Sequence, residues 1–190
     1  MGKCKTRLAA TVGKETALKI YTFLLEHTVS VSKNLSLDKQ VYYSEEIWED
    51  DVWDRKFYQK ELQQGIDLGE RMYTAFEKGF KSGYKKICII GSDLFDIAGG
   101  DIAHAFEVLD STPYVLGPAE DGGYYLLGMT TPNITLFQDK AWGTGNVLKH
   151  TLENLKDEKY TLLPTKNDVD LYEDIADIEA FQPFLNSIKK

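Results

Sequence analysis

The chain has 190 residues, of which 43% are hydrophobic and 27% are charged, and its formal net charge at pH 7 is -8. These proportions are typical of a folded globular domain and exclude general disorder. No uninterrupted apolar run exceeds four residues, whereas a membrane-spanning helix needs roughly 20, and no signal-peptide pattern opens the chain. We therefore expect one cytoplasmic domain over residues 1–190, without a membrane span. The acidic balance also argues against a nucleic-acid partner, because neutralising phosphates requires a face rich in Lys and Arg.

The charge is uneven along the chain. The first fourteen residues contain four basic side chains and no carboxylate, so the remainder carries a net charge of -12. The four basic residues are Lys3, Lys5, Arg7 and Lys14. A basic segment on an acidic protein predicts an anion site, and a solvated basic tail explains the same pattern equally well.

The first half of the chain predicts two helices and a short strand. Apolar side chains recur at helical spacing over 16–29, but no strand-like run precedes them, so the chain is expected to begin inside a loop. A strand is predicted at 40–43, and the carboxylate-rich residues 45–54 are expected to form solvated surface. Residues 67–82 predict a second amphipathic helix, which ends at Gly83.

The second half alternates more regularly. The apolar run within 85–91 is typical of a strand buried on both faces in a parallel sheet. The elements predicted after it are a helix at 101–110, strands at 114–116 and 124–129, a helix at 145–155, a strand at 160–163, and a last helix from Asp170 with Glu173 in a variant capping box. This alternation predicts an α/β three-layer sandwich around a mostly parallel central sheet.

The cysteines and histidines show no metal-ligand spacing. Cys4 and Cys88 are expected to be reduced thiols, with Cys88 acting as a small core hydrophobe. His27, His104 and His150 lie in separate predicted helices, so neither a zinc site nor a Cys–His nucleophile pair is expected.

Two groups of carboxylates are candidates for metal binding, one after the apolar strand and one, Asn167-Asp168-Val169-Asp170, just before the last predicted helix. Gly91-Ser92-Asp93 lies at the carboxyl end of the apolar strand, where open α/β sheets bind ligands, and Asp93 there could hold Mg²⁺ or Mn²⁺. A turn or N-cap aspartate is an equally good explanation of Asp93 alone. A single N-cap explains Asp170, which leaves Asp168 as a possible second metal ligand.

Three further segments are candidates for ligand binding. In GPAEDGGYYLLG at 117–128, Gly122 and Gly123 allow the backbone to approach a ligand, which favours a ligand loop over a plain hairpin turn. Lys5 and Arg7 are suited to clamping a pyrophosphate. Trp142 offers an aromatic face for stacking, although a buried core tryptophan is the commoner role.

Several of these segments together resemble a known family. They are KTRLA at 5–9, DLGERM at 67–72, GSD at 91–93, GPAEDGGYYLLGM at 117–129 and WGT at 142–144. In this order, over nearly the whole chain, they resemble the glycosyltransferase-like DUF2064 family of nucleotide-diphospho-sugar transferases. The resemblance implies a GT-A-type fold, similar to that of guanylyltransferases acting on molybdopterin and phospholactate. Members usually begin with an apolar strand ahead of the KTRLA loop, so this chain is expected to lack that first strand.

The resemblance also implies a function and a site. The function is a metal-dependent glycosyltransferase with a nucleotide-sugar donor, a small-molecule acceptor, and Mg²⁺ or Mn²⁺ as cofactor. The alternatives are a nucleotidyltransferase that uses a nucleoside triphosphate and a phosphorylated substrate, and a non-catalytic nucleotide-binding relative. By the resemblance, Asp93 corresponds to the metal and diphosphate aspartate, Lys5 and Arg7 to the basic phosphate-side loop, residues 121–123 to the donor or acceptor loop, and Asp168 and Asp170 to the aspartates before the final helix. In the glycosyltransferase hypothesis, Asp121 or Glu120 is the general base, Ser92, Gly122 and Gly123 join Lys5 and Arg7 in binding the donor, and Asp168 and Asp170 are further metal ligands.

Overall fold

The computed structural model describes residues 5–186, so the expectations for Met1, Lys3 and Cys4 lie outside the described residues. Helices and strands alternate along most of this length. They are α1 (Thr6–Val12), α2 (Lys14–Ser32), β1 (Gln40–Tyr43), β2 (Gln59–Leu62), α3 (Leu68–Lys81), β3 (Ile87–Ile90), α4 (Gly99–Val108), β4 (Tyr114–Pro118), β5 (Tyr124–Met129), α5 (Val147–Asn154), β6 (Tyr160–Leu162) and α6 (Gln182–Leu185). Two 3₁₀ turns, Ile134–Leu136 and Glu179–Phe181, complete the regular structure.

The strands form two sheets. β1 and β2 pair in parallel, and the larger sheet has the order β3-β5-β4-β6. β5 is antiparallel to both of its neighbours, β3 and β4, whereas β6 is parallel to β4. Three of the four strands therefore run in one direction, as expected of a mostly parallel sheet, and their carboxyl ends lie at one edge.

The larger sheet lies between two layers of helices. On one face, Leu116 and Leu127 pack in a core with Phe76 of α3. On the other face, Val115 packs in a core with Ala105 of α4. A third core joins α1 and α2 to the C-terminal segment. The expected three-layer α/β sandwich is confirmed, and it arises because successive strand residues point to opposite faces.

The apolar strand β3 differs from its expectation. Ile87, Cys88, Ile89 and Ile90 are all half-buried, and their one neighbour in the sheet order, β5, is antiparallel. The predicted packing on both faces is confirmed, because Ile87 and Ile89 pack against the core that contains Phe76 and Cys88 and Ile90 pack against the core that contains Ala105. The prediction of parallel pairing was wrong for this strand, because within residues 5–186 its one partner is β5, which runs antiparallel between β3 and β4. Burial raises the pKa of the Cys88 thiol to about 12, so Cys88 is an inert hydrophobe, as expected.

The N-terminal segment is helical rather than a loop. Residues 5–13 contain no strand, as expected, but Arg7 lies within helix α1. Gly13, with φ of 82°, separates α1 from α2, which is longer than the predicted helix at 16–29. The helix forms because Leu8 and Val12, four residues apart, are buried on one face against α2.

The carboxylate-rich segment is more ordered than expected. Trp53 is buried, and the side chain of Lys60, which is fully buried, forms an ion pair of 2.8 Å with Asp51. Lys60 also donates to the carbonyl oxygens of Trp48 and Glu49. The sequence did not predict strand β2, because its residues are mostly polar. The side chain that β2 buries is Lys60, and its charge is balanced by Asp51.

The predicted helix from Asp170 does not form. The Asp174 carboxylate accepts hydrogen bonds from the backbone N–H groups of Asp170 and Leu171, at 2.8 and 2.5 Å, and from the Asn167 amide at 3.3 Å. This carboxylate therefore stabilises a turn where a helix was expected, and the next α-helix, α6, begins at Gln182. Side-chain competition for backbone N–H groups is the reason that Asp favours turns over helix interiors.

The other helices and strands lie close to their predicted positions. Asp67 caps α3 by accepting from the Glu70 N–H at 2.8 Å. His27, His104 and His150 lie in α2, α4 and α5. Within residues 5–186, no helix combines the length and apolarity needed to cross a membrane.

Candidate active site

The loops that follow β3, β4 and β6 meet at one edge of the larger sheet. The Val169 N–H donates to the Asp93 carbonyl at 3.1 Å, and the Glu120 N–H donates to the Lys166 carbonyl at 3.0 Å. An isolated antiparallel β-bridge also joins Leu94 to Asp168. Three loops that are far apart in the sequence are thereby fixed against one another, at the edge where sheets of this kind bind ligands.

Three of the predicted carboxylates come together at this edge. Burial raises the pKa of Asp168, and the negative charges of Asp121 and, less strongly, Asp93 raise it further, while Lys5 opposes the shift. Asp93, Asp121 and Asp168 therefore lie close enough to one another for their charges to interact.

The basic residues of the N-terminal segment reach the same site. The Lys5 ammonium contacts Asp93 Oδ2 at 2.9 Å, and its side chain is only 6% exposed. Arg7 pairs with Asp170 at 2.8 Å, and 63% of the Arg7 side chain is exposed. Both cations were predicted to bind phosphates, and in the free protein both neutralise site carboxylates.

Lys5 also has an unusual backbone conformation. It precedes α1 with φ of 53°, in the left-handed region that non-glycine residues rarely adopt. This conformation costs roughly 1 kcal/mol. The partly buried ion pair with Asp93 and the packing of α1 offset that cost.

The glycine-containing segment forms the turn between β4 and β5. The Gly123 N–H donates to Asp121 Oδ1 at 2.7 Å, and the Gly122 N–H donates to the Ala119 carbonyl at 3.1 Å. Asp121 is exposed at the tip of the turn. The segment is thus a hairpin turn, and the exposure of Asp121 leaves its carboxylate accessible to a ligand.

Gly122 is required by packing as well as by conformation. Its φ is 85°, and a Cβ atom at this position would lie 2.2 Å from the Gly145 carbonyl oxygen. The Leu148 N–H of α5 donates to the Gly122 carbonyl at 2.9 Å. The turn that carries Asp121 is therefore seated directly on the start of α5.

The carboxylates do not form a ready-made metal cage. Within residues 5–186, no group of three or more His, Cys, Asp or Glu side chains is arranged to hold a metal ion. A divalent ion such as Mg²⁺ commonly takes one or two carboxylates and completes its shell with substrate phosphates and water. The donors Asp93 and Asp168 suit such an ion chemically, because both supply hard carboxylate oxygens. The metal site stays a prediction.

Lys166 is a site residue that sequence reasoning missed. Its ammonium donates to the Asp96 carbonyl at 2.8 Å and lies 3.2 Å from Asp101 Oδ2, and 13% of its side chain is exposed. Asp101 also caps α4 by accepting from the Ala98 N–H. Lys166 thus joins the loop after β6 to the loop after β3. A lone lysine in a loop gives no local signal for this role.

Ser92 and Trp142 have structural contacts. The Ser92 carbonyl accepts from the Thr28 hydroxyl of α2 at 3.4 Å. Trp142 is half-buried against Gly69 of α3, so close that a Cβ atom on Gly69 would lie 2.7 Å from the indole nitrogen. This packing favours a structural role for Trp142 in the core over a role in stacking on a ligand. The contact with Gly69 also joins the DLGERM motif to the WGT motif.

Comparison with known proteins assigns the fold and the family. A solved structure from Desulfovibrio desulfuricans G20, provisionally named a nucleotide-diphospho-sugar transferase, matches with a TM-score of 0.88 at 28% identity, over 98% of this chain and 89% of the other. A homologue of Mycobacterium tuberculosis Rv0371c from Mycobacterium sp. strain JC1 matches with a TM-score of 0.52 at 13% identity, over 87% of this chain and 83% of the other. This second match shows similarity of fold alone. The expected GT-A-type fold is confirmed.

No curated protein matches the sequence at a significant level. The model of the DUF2064 family, described as uncharacterized protein conserved in bacteria, matches residues 28–144. That range includes the loops that carry Asp93 and Asp121 and more than half of the chain. The chain therefore belongs to the DUF2064 family.

Proposed function

We propose that the protein is a transferase of the glycosyltransferase-like kind, which takes a sugar from a nucleotide-diphosphate donor and passes it to a small-molecule acceptor. The observation that supports this most strongly is the meeting of Asp93, Asp121 and Asp168 with Lys5 at the carboxyl edge of the sheet. A closely similar fold occurs in the Desulfovibrio protein provisionally named a nucleotide-diphospho-sugar transferase. Carboxylates beside cations are the groups that a metal-bound diphosphate requires.

Lys5 and Arg7 would bind the donor diphosphate. Each is now paired with a carboxylate, Lys5 with Asp93 and Arg7 with Asp170. An incoming diphosphate offers more negative charge than either carboxylate, and Arg can hold it with two parallel hydrogen bonds. These cations would also stabilise the diphosphate as it leaves the sugar.

Asp93 and Asp168 would hold a divalent cation, with Asp170 as a further predicted ligand. Such an ion, when bound, acts as a Lewis acid on the diphosphate. The hard oxygen donors of these carboxylates match Mg²⁺ or Mn²⁺.

Asp121 would act as the general base. Gly123 holds one carboxylate oxygen, Oδ1, at 2.7 Å, and the side chain is exposed at the tip of the turn. The acceptor oxygen would form its bond to the anomeric carbon while the bond from that carbon to the diphosphate oxygen breaks. Asp121 would take the acceptor proton in this step.

The sharpest test compares Asp93→Asn with Asp96→Asn, which makes the same charge change three residues further along the same loop. We expect the wild-type protein and Asp96→Asn to bind nucleotide-sugars more tightly with Mg²⁺ than with EDTA. Asp93→Asn should lose this dependence on Mg²⁺, and its affinity should fall at least about tenfold. Calorimetric titration would measure the affinities, and Mg²⁺-dependent binding that survives in Asp93→Asn would refute the site.

A nucleotidyltransferase is the second candidate. The pairing of two basic side chains with site carboxylates also suits a triphosphate, whose departing pyrophosphate needs more positive charge than a diphosphate does. Product analysis separates the two functions, because a glycosyltransferase releases a nucleoside diphosphate and a nucleotidyltransferase releases pyrophosphate. Nucleotide-dependent thermal stabilisation without either product would indicate the non-catalytic alternative.

A further inference from the structure

A groove begins at the turn that carries Asp121 and runs along α5. Its volume is about 700 Å³, which is within the range of small-molecule sites. Gly122 and Gly145 line one end and Tyr160 lines the other. Because the eight residues of α5 span about 12 Å, the groove can hold an extended small molecule.

The groove is fixed to the candidate active site by backbone contacts. A Cβ atom on Gly145 would lie 3.1 Å from the Asp121 carbonyl oxygen, and the Leu148 N–H donates to the Gly122 carbonyl. A ligand in the groove would therefore have one end against Gly122, the residue that follows Asp121 in the turn. An acceptor hydroxyl at that end would lie one residue away from the proposed base.

The groove combines an apolar surface with positive charge. Leu148 and Leu152 are half-buried and present the apolar part, and Tyr160 is 38% exposed. Lys149 and Lys156 flank them and are exposed.

Two unpaired lysines are notable on a protein with a net charge of -8. No ion pair of residues 5–186 involves either Lys149 or Lys156. Glu153 also lines the groove, so the local charge of these three side chains is +1. An anionic group is favoured there over a neutral or cationic one.

We propose that this groove binds the acceptor, and that the acceptor is a hydroxylated small molecule with an apolar or aromatic body and one anionic group. The assignment of the bound molecule as the acceptor rests on the proposed transferase function. The binding preference itself rests only on the groove. The apolar body would cover Leu148 and Leu152, and the anionic group would pair with either Lys149 or Lys156, which lie about 10 Å apart along the axis of α5 on either side of Glu153. A carboxylate and a phosphate have this chemistry in common.

The test uses phenyl phosphate and phenylacetate as anionic probes and benzyl alcohol as the neutral one. Backbone amide shifts in NMR spectra would locate each probe on the ¹⁵N-labelled wild-type chain and give its affinity. We expect both anions to shift amides of α5 and of residues 121–123, with benzyl alcohol binding more weakly. Whichever of the two anions binds with the higher affinity indicates whether the natural group is a phosphate or a carboxylate.

The double variant Lys149→Gln/Lys156→Gln should weaken anion binding at least about fivefold and leave benzyl alcohol binding unchanged. The matched control is Lys56→Gln/Lys85→Gln, which removes two exposed lysines that do not line the groove. The groove proposal is wrong if α5 shows no shifts, if the neutral probe binds as tightly as the anions, or if both double variants behave alike.

Failure of the proposed function would look different. Nucleotide-sugar affinity in the presence of Mg²⁺ should be the same for Lys149→Gln/Lys156→Gln as for the wild type, because the two lysines lie outside the donor site. If the wild type binds no nucleotide-sugar, the transferase proposal fails while the probe result still decides whether the groove selects anions. If donor binding is normal and the groove ignores anions, only the acceptor proposal fails.

Discussion

Asp168 is the residue at which burial and charge combine most clearly. Burial raises its pKa, and the neighbouring charge of Asp121 adds to the effect. The folded state therefore holds the Asp168 proton more tightly than the unfolded chain does. As the pH rises from the ordinary carboxyl value of 3.8 through the raised value, ionised Asp168 costs the folded state stability.

Because the pKa of Asp168 is raised, we expect Asp168→Asn to stabilise the metal-free protein at neutral pH. At pH 7 the variant should have a higher free energy of unfolding than the wild type, and the gain should disappear below pH 3.8. Urea denaturation in EDTA over this pH range would measure it. Asp170→Asn is the control, since it loses the ion pair with Arg7 and should show no gain. A stabilisation by Asp168→Asn that is the same at every pH would contradict the electrostatic explanation.

Gly122 and Gly143 separate two effects of glycine. Both have positive φ, but a Cβ atom on Gly143 meets nothing within 4 Å, whereas on Gly122 it would lie 2.2 Å from a backbone oxygen. We expect Gly143→Ala to cost about 1 kcal/mol and Gly122→Ala about 3 kcal/mol, because only the second adds a steric clash to the backbone strain. Thermal or urea unfolding would measure both, and equal costs would show that the contact with Gly145 is not tight.

At the level of elements, the loops after β3, β4 and β6 act as one unit. Lys166 contributes to all three, since its ammonium binds the Asp96 carbonyl and its backbone pairs with the β4 loop. The motif residues Gly91–Asp93 and Asp121 could be assigned from the sequence because they follow strands. The partners of Lys5 and Lys166 could not, because they lie 88 and 70 residues away in the chain and local periodicity carries no information about such contacts.

Removing the Lys166 ammonium should therefore loosen the site. Lys166→Met would leave the Asp96 carbonyl and Asp101 without this cation, at a cost of about 2 kcal/mol in the free energy of unfolding. Lys166→Arg should recover part of that loss by keeping the charge. Lys159→Met, at an exposed position, is the matched control and should be close to neutral. The cross-linking role is wrong if Lys166→Met and Lys159→Met unfold at the same urea concentration.

For the whole molecule, the C-terminal segment completes the fold around the site. Phe181 is fully buried, and its ring contacts those of Phe23 in α2 and Phe95 in the loop after Asp93, with centroid distances of 5.4 and 5.0 Å. This aromatic cluster holds the site loop against α2. The periodicity of the sequence did not identify it, because its members come from three separate segments.

Phe181→Ala should cost about 3–5 kcal/mol, the usual loss for a large aromatic side chain in a core. Leu171→Ala, in the same segment but 43% exposed, should cost less than about 1 kcal/mol. Urea denaturation with tryptophan fluorescence would compare them. A small loss for Phe181→Ala would mean that the C-terminal segment is not part of the cooperative core.

The sequence by itself determined the alternation of helices and strands, the three-layer class, the family motifs and the carboxylates that end the strands. These features depend on a residue and its near neighbours, so hydrophobic period and turn residues reveal them. Only the tertiary structure decided that β3 pairs with the antiparallel strand β5, that Asp174 stabilises a turn where a helix was predicted, and that Lys5 neutralises Asp93. These outcomes depend on strand order and on competition for hydrogen bonds between segments, which exist only once the chain has folded.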